Sequence, residues 1–264
     1  MRAGEAIGAM LALEELAAGD GAMHRLHPAA KLLGTAAYLV CAVSVGRLDY
    51  PTMSLFFFYP AIAIALSGVP MAAIGRRVLP ALPLVLFVGL SGALLERETY
   101  VALGPLAISR GVVSMAVLLE KAALSVSAAL ILMATTPLAD LLGCLRRAGA
   151  PKALVAVLML AARYLSLIFG EAGRMSRAYA LRAGKARGVD FRDMGSFLGQ
   201  LLLRSIDRAE RVYAAMKLRG YDGDFPAPAG RHFGVADAGF VLAVAASSVL
   251  MRFLPLAEWL GRLT

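Results

Sequence analysis

The chain has 264 residues, 59% of them hydrophobic, with a mean hydropathy of +0.71. Soluble domains are about 45–50% apolar, so this composition excludes an ordinary water-soluble globule and indicates an integral membrane protein. The net charge of +9 is concentrated between Pro137 and Arg231, where 16 Lys/Arg stand against 8 Asp/Glu, a net of +8. In a membrane protein such a segment reads as retained on the cytoplasmic side, not as a nucleic-acid surface.

The N-terminus carries Glu5, Glu14, Glu15 and Asp20. It lacks the basic flank, short apolar core and small-residue cleavage site of a signal peptide. Four apolar runs follow, over 31–45, 52–69, 78–95 and 111–135, and a fifth covers 238–254. A spanning helix needs about 20 residues, with a range of roughly 17–25, and the first run becomes long enough if it starts near Pro28, a residue suited to a first helical turn. Lys and Arg in the intervening loops number three, one, two and two before the segment of sixteen. That bias places the N-terminus and the basic segment inside after four crossings, and the C-terminus outside after the fifth.

The stretch ALVAVLMLAARYLSLIFG (153–170) is also long enough to cross. Arg163 sits at its middle, where a charge costs about 2.5–3.5 kcal/mol on insertion scales. The sequence reading therefore lays it at or just below the membrane surface, and a six-span alternative stays open. Within 137–222 three helices are expected. The first spans 137–148, with Thr136 as cap and Pro137 at its first position. The second runs from Pro151 to about Arg187, and the third from about Phe191 or Arg192 to Arg219. The fold class is thus all-α and polytopic, with about five spans. Its parts are a four-span region 1–136, a cytoplasmic helical region 137–235, and a last span with tail, 236–264.

The second and third of these helices end on nearly the same phrase, GKARGVDF (184–191) and LRGYDGDF (218–225), 32 residues apart in their Arg-Gly pairs. One reading is an ordinary cap. Gly188 and Gly220 would take the left-handed conformation past a helix end, Val189 and Tyr221 would supply the apolar residue that follows, and Arg187 and Arg219 would meet the negative end of the helix dipole. The repetition points further. Two guanidiniums on rigid helix ends, held side by side, would present matched cationic knobs, and a guanidinium recognises carboxylates and carbonyls bidentately. The partner expected from such a pair is itself two-fold or pseudo-two-fold.

Several stretches in order carry a family resemblance. They are AAGDGAMHRLHPAAKLL (17–33), MATTPLADLLGCLRRAGAPKALVAVLMLAARYL (133–165), EAGRMSRAYALRAGKARG (171–188) and AMKLRGYDG (215–223). The chain resembles the transmembrane T component of energy-coupling factor importers, most closely the CbiQ type associated with cobalt and nickel uptake. It departs from the family pattern at His27 and Ala29, where Asp and Arg are common, and at Leu218, where the second Ala-Arg-Gly signature has Ala. The resemblance implies that the two signatures end crossed cytoplasmic coupling helices and dock into grooves of two ABC ATPase subunits. A separate CbiM-like membrane subunit would capture the substrate, and a small accessory membrane subunit would be a further partner. The docking residues implied are Ala186, Arg187 and Gly188, and Leu218, Arg219 and Gly220. The implied location is the bacterial inner membrane, multi-pass, with the N-terminus and coupling region cytoplasmic.

Other residues carry weaker signals. His24 and His27 stand three apart beside the first span, but Pro28 interrupts any helix there and no third ligand accompanies them, so a surface or interface loop is expected and no metal site. Glu120 and Lys121 interrupt the fourth span. Adjacent on a helix, they point in different directions, so the readings are a polar contact to another helix or subunit, or a position near the outer boundary. Cys41 and Cys144 fall in different kinds of segment, which argues against a disulfide. The aromatic run LFFFYP (55–60) suits lipid or helix packing and lacks the basic residues of a nucleic-acid surface. No G-x-x-x-x-G-K-[ST], H-E-x-x-H or Cys-x-x-Cys motif occurs, so neither an ATPase nor another enzyme, and no cofactor, is expected. The competing reading is a stand-alone secondary transporter, or a membrane scaffold whose basic segment binds anionic lipid.

Overall fold

A computed structural model describes residues 17, 19, 21–95, 99–103, 106–184, 188–223 and 232–253. The described helices are α1 (Pro28–Ser44), α2 (Tyr50–Leu55), α3 (Phe58–Ser67), α4 (Met71–Val78), α5 (Leu82–Leu95), α6 (Arg110–Thr135), α7 (Leu138–Arg147), α8 (Lys152–Ala183), α9 (Met194–Leu218) and α10 (Val235–Phe253). The protein is an all-α polytopic chain with one addition that the sequence reading did not contain. Strands β1 (Thr99–Leu103) and β2 (Leu106–Ser109) pair as a short antiparallel hairpin between α5 and α6.

Five described segments are long and apolar enough to cross a membrane: Tyr50–Ser67, Met71–Ala93, Arg110–Thr135, Lys152–Ala183 and Val235–Phe253. The number matches the expectation but the membership differs. α1, expected as the first span, is apolar but has only 17 residues, whereas α8 qualifies by length and composition. The described residues cluster into two compact units, one within Leu138–Gly230 and the other within Glu14–Pro137 and Arg231–Thr264.

In the second unit α6 is the central helix, and α1 packs against it and against α10. Tyr38, Ala42, Met53, Phe56, Val117, Leu124, Ala128 and Val244 form its core. Lipid offers no hydrophobic drive between helices, so close approach at small residues does much of the packing. Gly34 shows this: a methyl group added there would lie 3.0 Å from the Phe240 ring. The aromatic run divides by face. Phe56 is fully buried, Phe57 and Phe58 are exposed, and Tyr59 stacks on Tyr38 at 4.3 Å between ring centroids. Phe56 also ends α2, and its carbonyl accepts a 2.9 Å hydrogen bond from the Tyr38 hydroxyl.

Polar residues inside this unit satisfy helix ends. His27 caps α1 through Nδ1, which accepts from the Ala29 amide at 3.0 Å, with Pro28 at the first position. The helix start is thus capped by a ring nitrogen of His27. Its own amide donates to Asp237 Oδ1 at 2.7 Å, while Gly234 donates to Oδ2 at 2.9 Å, so one buried carboxylate joins the starts of α1 and α10. Lys31, also buried, donates to the carbonyl of Thr135 at the last turn of α6 (2.6 Å). Lys121 donates to the carbonyls of Val43 and Val45 at 2.9 Å each, meeting the negative end of α1. Of the two readings for the Glu120–Lys121 pair, Lys121 makes the contact to another helix; Glu120 Oε2 is buried with no hydrogen-bond partner among the described residues.

One expected cap is overturned. α7 begins at Leu138, and Thr136 Oγ1 is buried without a hydrogen-bond partner instead of capping the helix. The residue belongs to the end of α6, where it is the extended C-cap (φ −140°, ψ 117°), one residue removed from the start of α7.

Candidate docking site

The first unit contains α7, α8 and α9, and the two Arg-Gly phrases flank α9. At the second phrase the expected cap is present in full. Arg219 is the C-cap (φ −93°, ψ 11°) and Gly220 is left-handed (φ 81°). The Gly220 amide donates to the Lys217 carbonyl and the Tyr221 amide to the Met216 carbonyl, both at 3.0 Å. These two bonds define a Schellman turn. Leu218, the last helical residue, is 90% exposed. Arg219 is exposed too, and its guanidinium has no partner among the described residues.

The first phrase behaves differently. α8 stops at Ala183, with Gly184 as its left-handed cap (φ 60°) and the Gly184 amide on the Ala180 carbonyl. The helix therefore ends about four residues before the position expected at Arg187, and Gly188 is not its terminating glycine. The reason is that GKARG holds two glycines, and the first one reached already supplies the αL conformation. Gly188 is nonetheless left-handed (φ 61°), within the connection to α9. Ala186 and Arg187 lie outside the described residues.

Capping geometry alone does not mark a site. α7 ends in the same turn, with Gly149 (φ 100°) donating to Arg146 and Ala150 to Leu145. What sets the two phrases apart is their placement. The Tyr179 hydroxyl on α8 donates to Asp193 Oδ2 at 2.5 Å, and Arg204 Nη1 on α9 donates to Glu171 Oε1 at 2.6 Å. Partners that move back along α8 while moving forward along α9 require an antiparallel pair. Gly188 and Gly220, the described glycines of the two phrases, therefore do not stand side by side. They flank opposite ends of a 25-residue helix, about 37 Å long at 1.5 Å per residue.

Glu171 has no role in the sequence reading, though it opens one of the matched stretches. In the structure it collects three arginines: Arg174 and Arg204 at 2.6 Å, and Arg208 at 3.8 Å. The Glu171–Arg174 spacing of three residues signals a pair on one helix face, but the two arginines from α9 carry no sequence signal. Beside this cluster the helices part around an apolar groove of about 540 Å³, walled by Val157, Tyr164 and Ile168 on α8 and by Val212 and Met216 on α9.

A family model described as CbiQ, cobalt transport protein, matches residues 20–228. The chain belongs to that family. Among its relatives, the cobalt transport protein CbiQ of Rhodobacter capsulatus is 35% identical over 94 residues, covering 35% of this chain and 38% of the relative. The nickel permease LarQ of Lactiplantibacillus plantarum is 33% identical over 97 residues, covering 37% and 36%. The chain thus matches less than two fifths of the length of either protein. The energy-coupling factor transporter transmembrane protein EcfT of Ruminiclostridium cellulolyticum is 24% identical over 225 residues, covering 78% of this chain and 81% of that one. With five apolar helices of spanning length, this CbiQ-family chain is a multi-pass membrane protein of the transport class.

Proposed function

We propose that this chain is the energy-coupling transmembrane subunit of an ATP-driven importer, with cobalt or nickel as cargo. In this reading it is non-catalytic. Two ABC ATPase subunits grip the Arg-Gly turns, and α8 and α9 pass their closing motion to a substrate-binding membrane subunit. Membership of the CbiQ family and the names of its relatives support the transport class and the cargo. The basic segment and the N-terminus face the cytoplasm, in keeping with the concentration of Lys and Arg between Pro137 and Arg231.

One observation carries the reading. Two left-handed glycines, Gly188 and Gly220, each preceded in sequence by an arginine, flank opposite ends of one helix of an antiparallel pair. Antiparallel helices of similar sequence ending have an approximate two-fold axis between them. That symmetry suits two like partners, each taking one arginine, better than a single small ligand. Arg187 and Arg219 are the docking charges. Ala186 and Leu218, the residues before them in sequence, are further contact residues, and Gly188 and Gly220 shape the turns.

Arg187→Ala combined with Arg219→Ala tests this. The double variant should reach the membrane in normal amount, lose ATPase subunits in a mild-detergent pull-down, and lose metal uptake. Undiminished uptake in that variant refutes the assignment. A reporter fused near Asp193 tests the orientation, which fails if the reporter is active on the external side.

A further inference from the structure

We propose that Glu171 is a positioning residue: it pins α9 to α8 at the middle of α9 and so sets how far the Arg219 end stands from α8. The proposal deepens the coupling role argued above and rests on it for its functional half. Its structural half stands on geometry alone.

Glu171 is mostly buried, with 15% of its side chain exposed, whereas Arg204 is 56% and Arg208 31% exposed. Arg204 and Arg208 straddle the centre of Met194–Leu218. The pin is therefore nearly equidistant from the two Arg-Gly phrases. Toward the α8–α9 connection, the Tyr179–Asp193 hydrogen bond holds the start of α9 as well. Away from it, the apolar groove separates the helices, and Arg208 is part of its lining. The cluster thus closes the groove at the point where the two helices begin to part.

A lone exposed ion pair contributes little. Glu171 differs because one half-buried carboxylate bridges three guanidiniums, two of them from the other helix. Without its charge, Arg174 on α8 and Arg204 and Arg208 on α9 repel across the interface. The expected response is opening, not mere loosening. From Arg208 to Arg219 is 11 residues, a lever of about 16 Å. Packed helix pairs scatter by about 15–20° in crossing angle, and that rotation moves the Arg219 end by about 4–6 Å.

Pulsed electron–electron resonance on the full chain in nanodiscs reads this displacement. With Cys41 and Cys144 changed to Ala, labels go on Ala153→Cys in α8 and Ala215→Cys in α9, both exposed. Glu171→Gln should lengthen the label distance by about 3–4 Å, the arc at Ala215, seven residues from Arg208. Arg204→Gln with Arg208→Gln should loosen the same end and add little when combined with Glu171→Gln. Arg174→Gln should leave the distance unchanged, because that bridge lies within α8. An unaltered distance in Glu171→Gln, or an equal shift in Arg174→Gln, overturns the pin, and the Arg204/Arg208 variant decides the matter if Glu171→Gln does not fold. In the assembled transporter, Glu171→Gln should retain its ATPase subunits in the pull-down yet lose uptake per ATP hydrolysed. Full uptake with an opened distance overturns the functional half. Persistent coupling in the Arg187/Arg219 double variant would instead defeat the docking reading and leave the label distances to judge Glu171.

Discussion

Gly220→Ala isolates backbone geometry from charge at the second Arg-Gly turn. Gly220 holds φ at 81° with open space where a Cβ would stand, so alanine meets no clash and the substitution acts through conformation alone. A non-glycine residue in the left-handed region costs about 1–2 kcal/mol. The turn is closed by hydrogen bonds from the Gly220 amide to Lys217 and from the Tyr221 amide to Met216. If docking requires this turn, apparent affinity falls with its population, by about 5–30-fold at about 1.4 kcal/mol per decade. Binding of purified ATPase subunits to the nanodisc-embedded chain measures the loss, and amide exchange at Tyr221 reports opening of the turn. Gly220→Asn should lose less, since Asn tolerates this conformation better. Wild-type affinity and protection in Gly220→Ala would refute the reasoning, because Arg219 would then dock without the turn that aims it.

Three further outcomes follow from the interior of the other unit. Lys31→Met removes a charged donor from the Thr135 carbonyl and should cost about 1.5–3 kcal/mol, read as a lowered unfolding midpoint in detergent. An unshifted midpoint would mean the contact contributes nothing net. Asp237→Ala strips the acceptor from two backbone amides, His27 and Gly234, and should lose about 2–4 kcal/mol by the same measure, with Asp237→Asn losing less. Gly34→Leu forces α1 away from Phe240 and should destabilise by about 1–3 kcal/mol through overpacking, while Gly34→Ala stays milder; equal effects would show that the close approach is unimportant.

Much of the membrane architecture could be read from hydropathy because every long apolar run had to become a helix. Run 111–135 became Arg110–Thr135 and run 238–254 became Val235–Phe253, with boundaries set by flanking polar or extended residues. Breaks within the runs were less legible. The second candidate splits at Phe56–Phe57 into α2 and α3, and the third passes through a 3₁₀ turn at Leu79–Ala81. Neither break changes composition, so hydropathy is blind to both. The hairpin between α5 and α6 was missed for a related reason. Its few residues fall in a stretch read as a charged loop, and strand pairing is not encoded by hydropathy.

The docking phrases show where sequence reading stops. Gly220 is legible as a terminating glycine because it is the first glycine after the basic helix end. At GKARG two glycines compete, and only the backbone decides that Gly184 ends α8 while Gly188 turns within the connection. The spacing of 32 residues fits one helix plus its connection, whichever way the helices run. Direction depends on which side chains meet, and the decisive contacts are Tyr179 with Asp193 and Glu171 with Arg204. Neither pair repeats or belongs to a recognisable motif. Yet they place Gly188 and Gly220 toward the two ends of α9 in an antiparallel pair. Local sequence thus specifies the shape of each turn, and a handful of contacts distant in sequence specifies how far apart the two glycines stand.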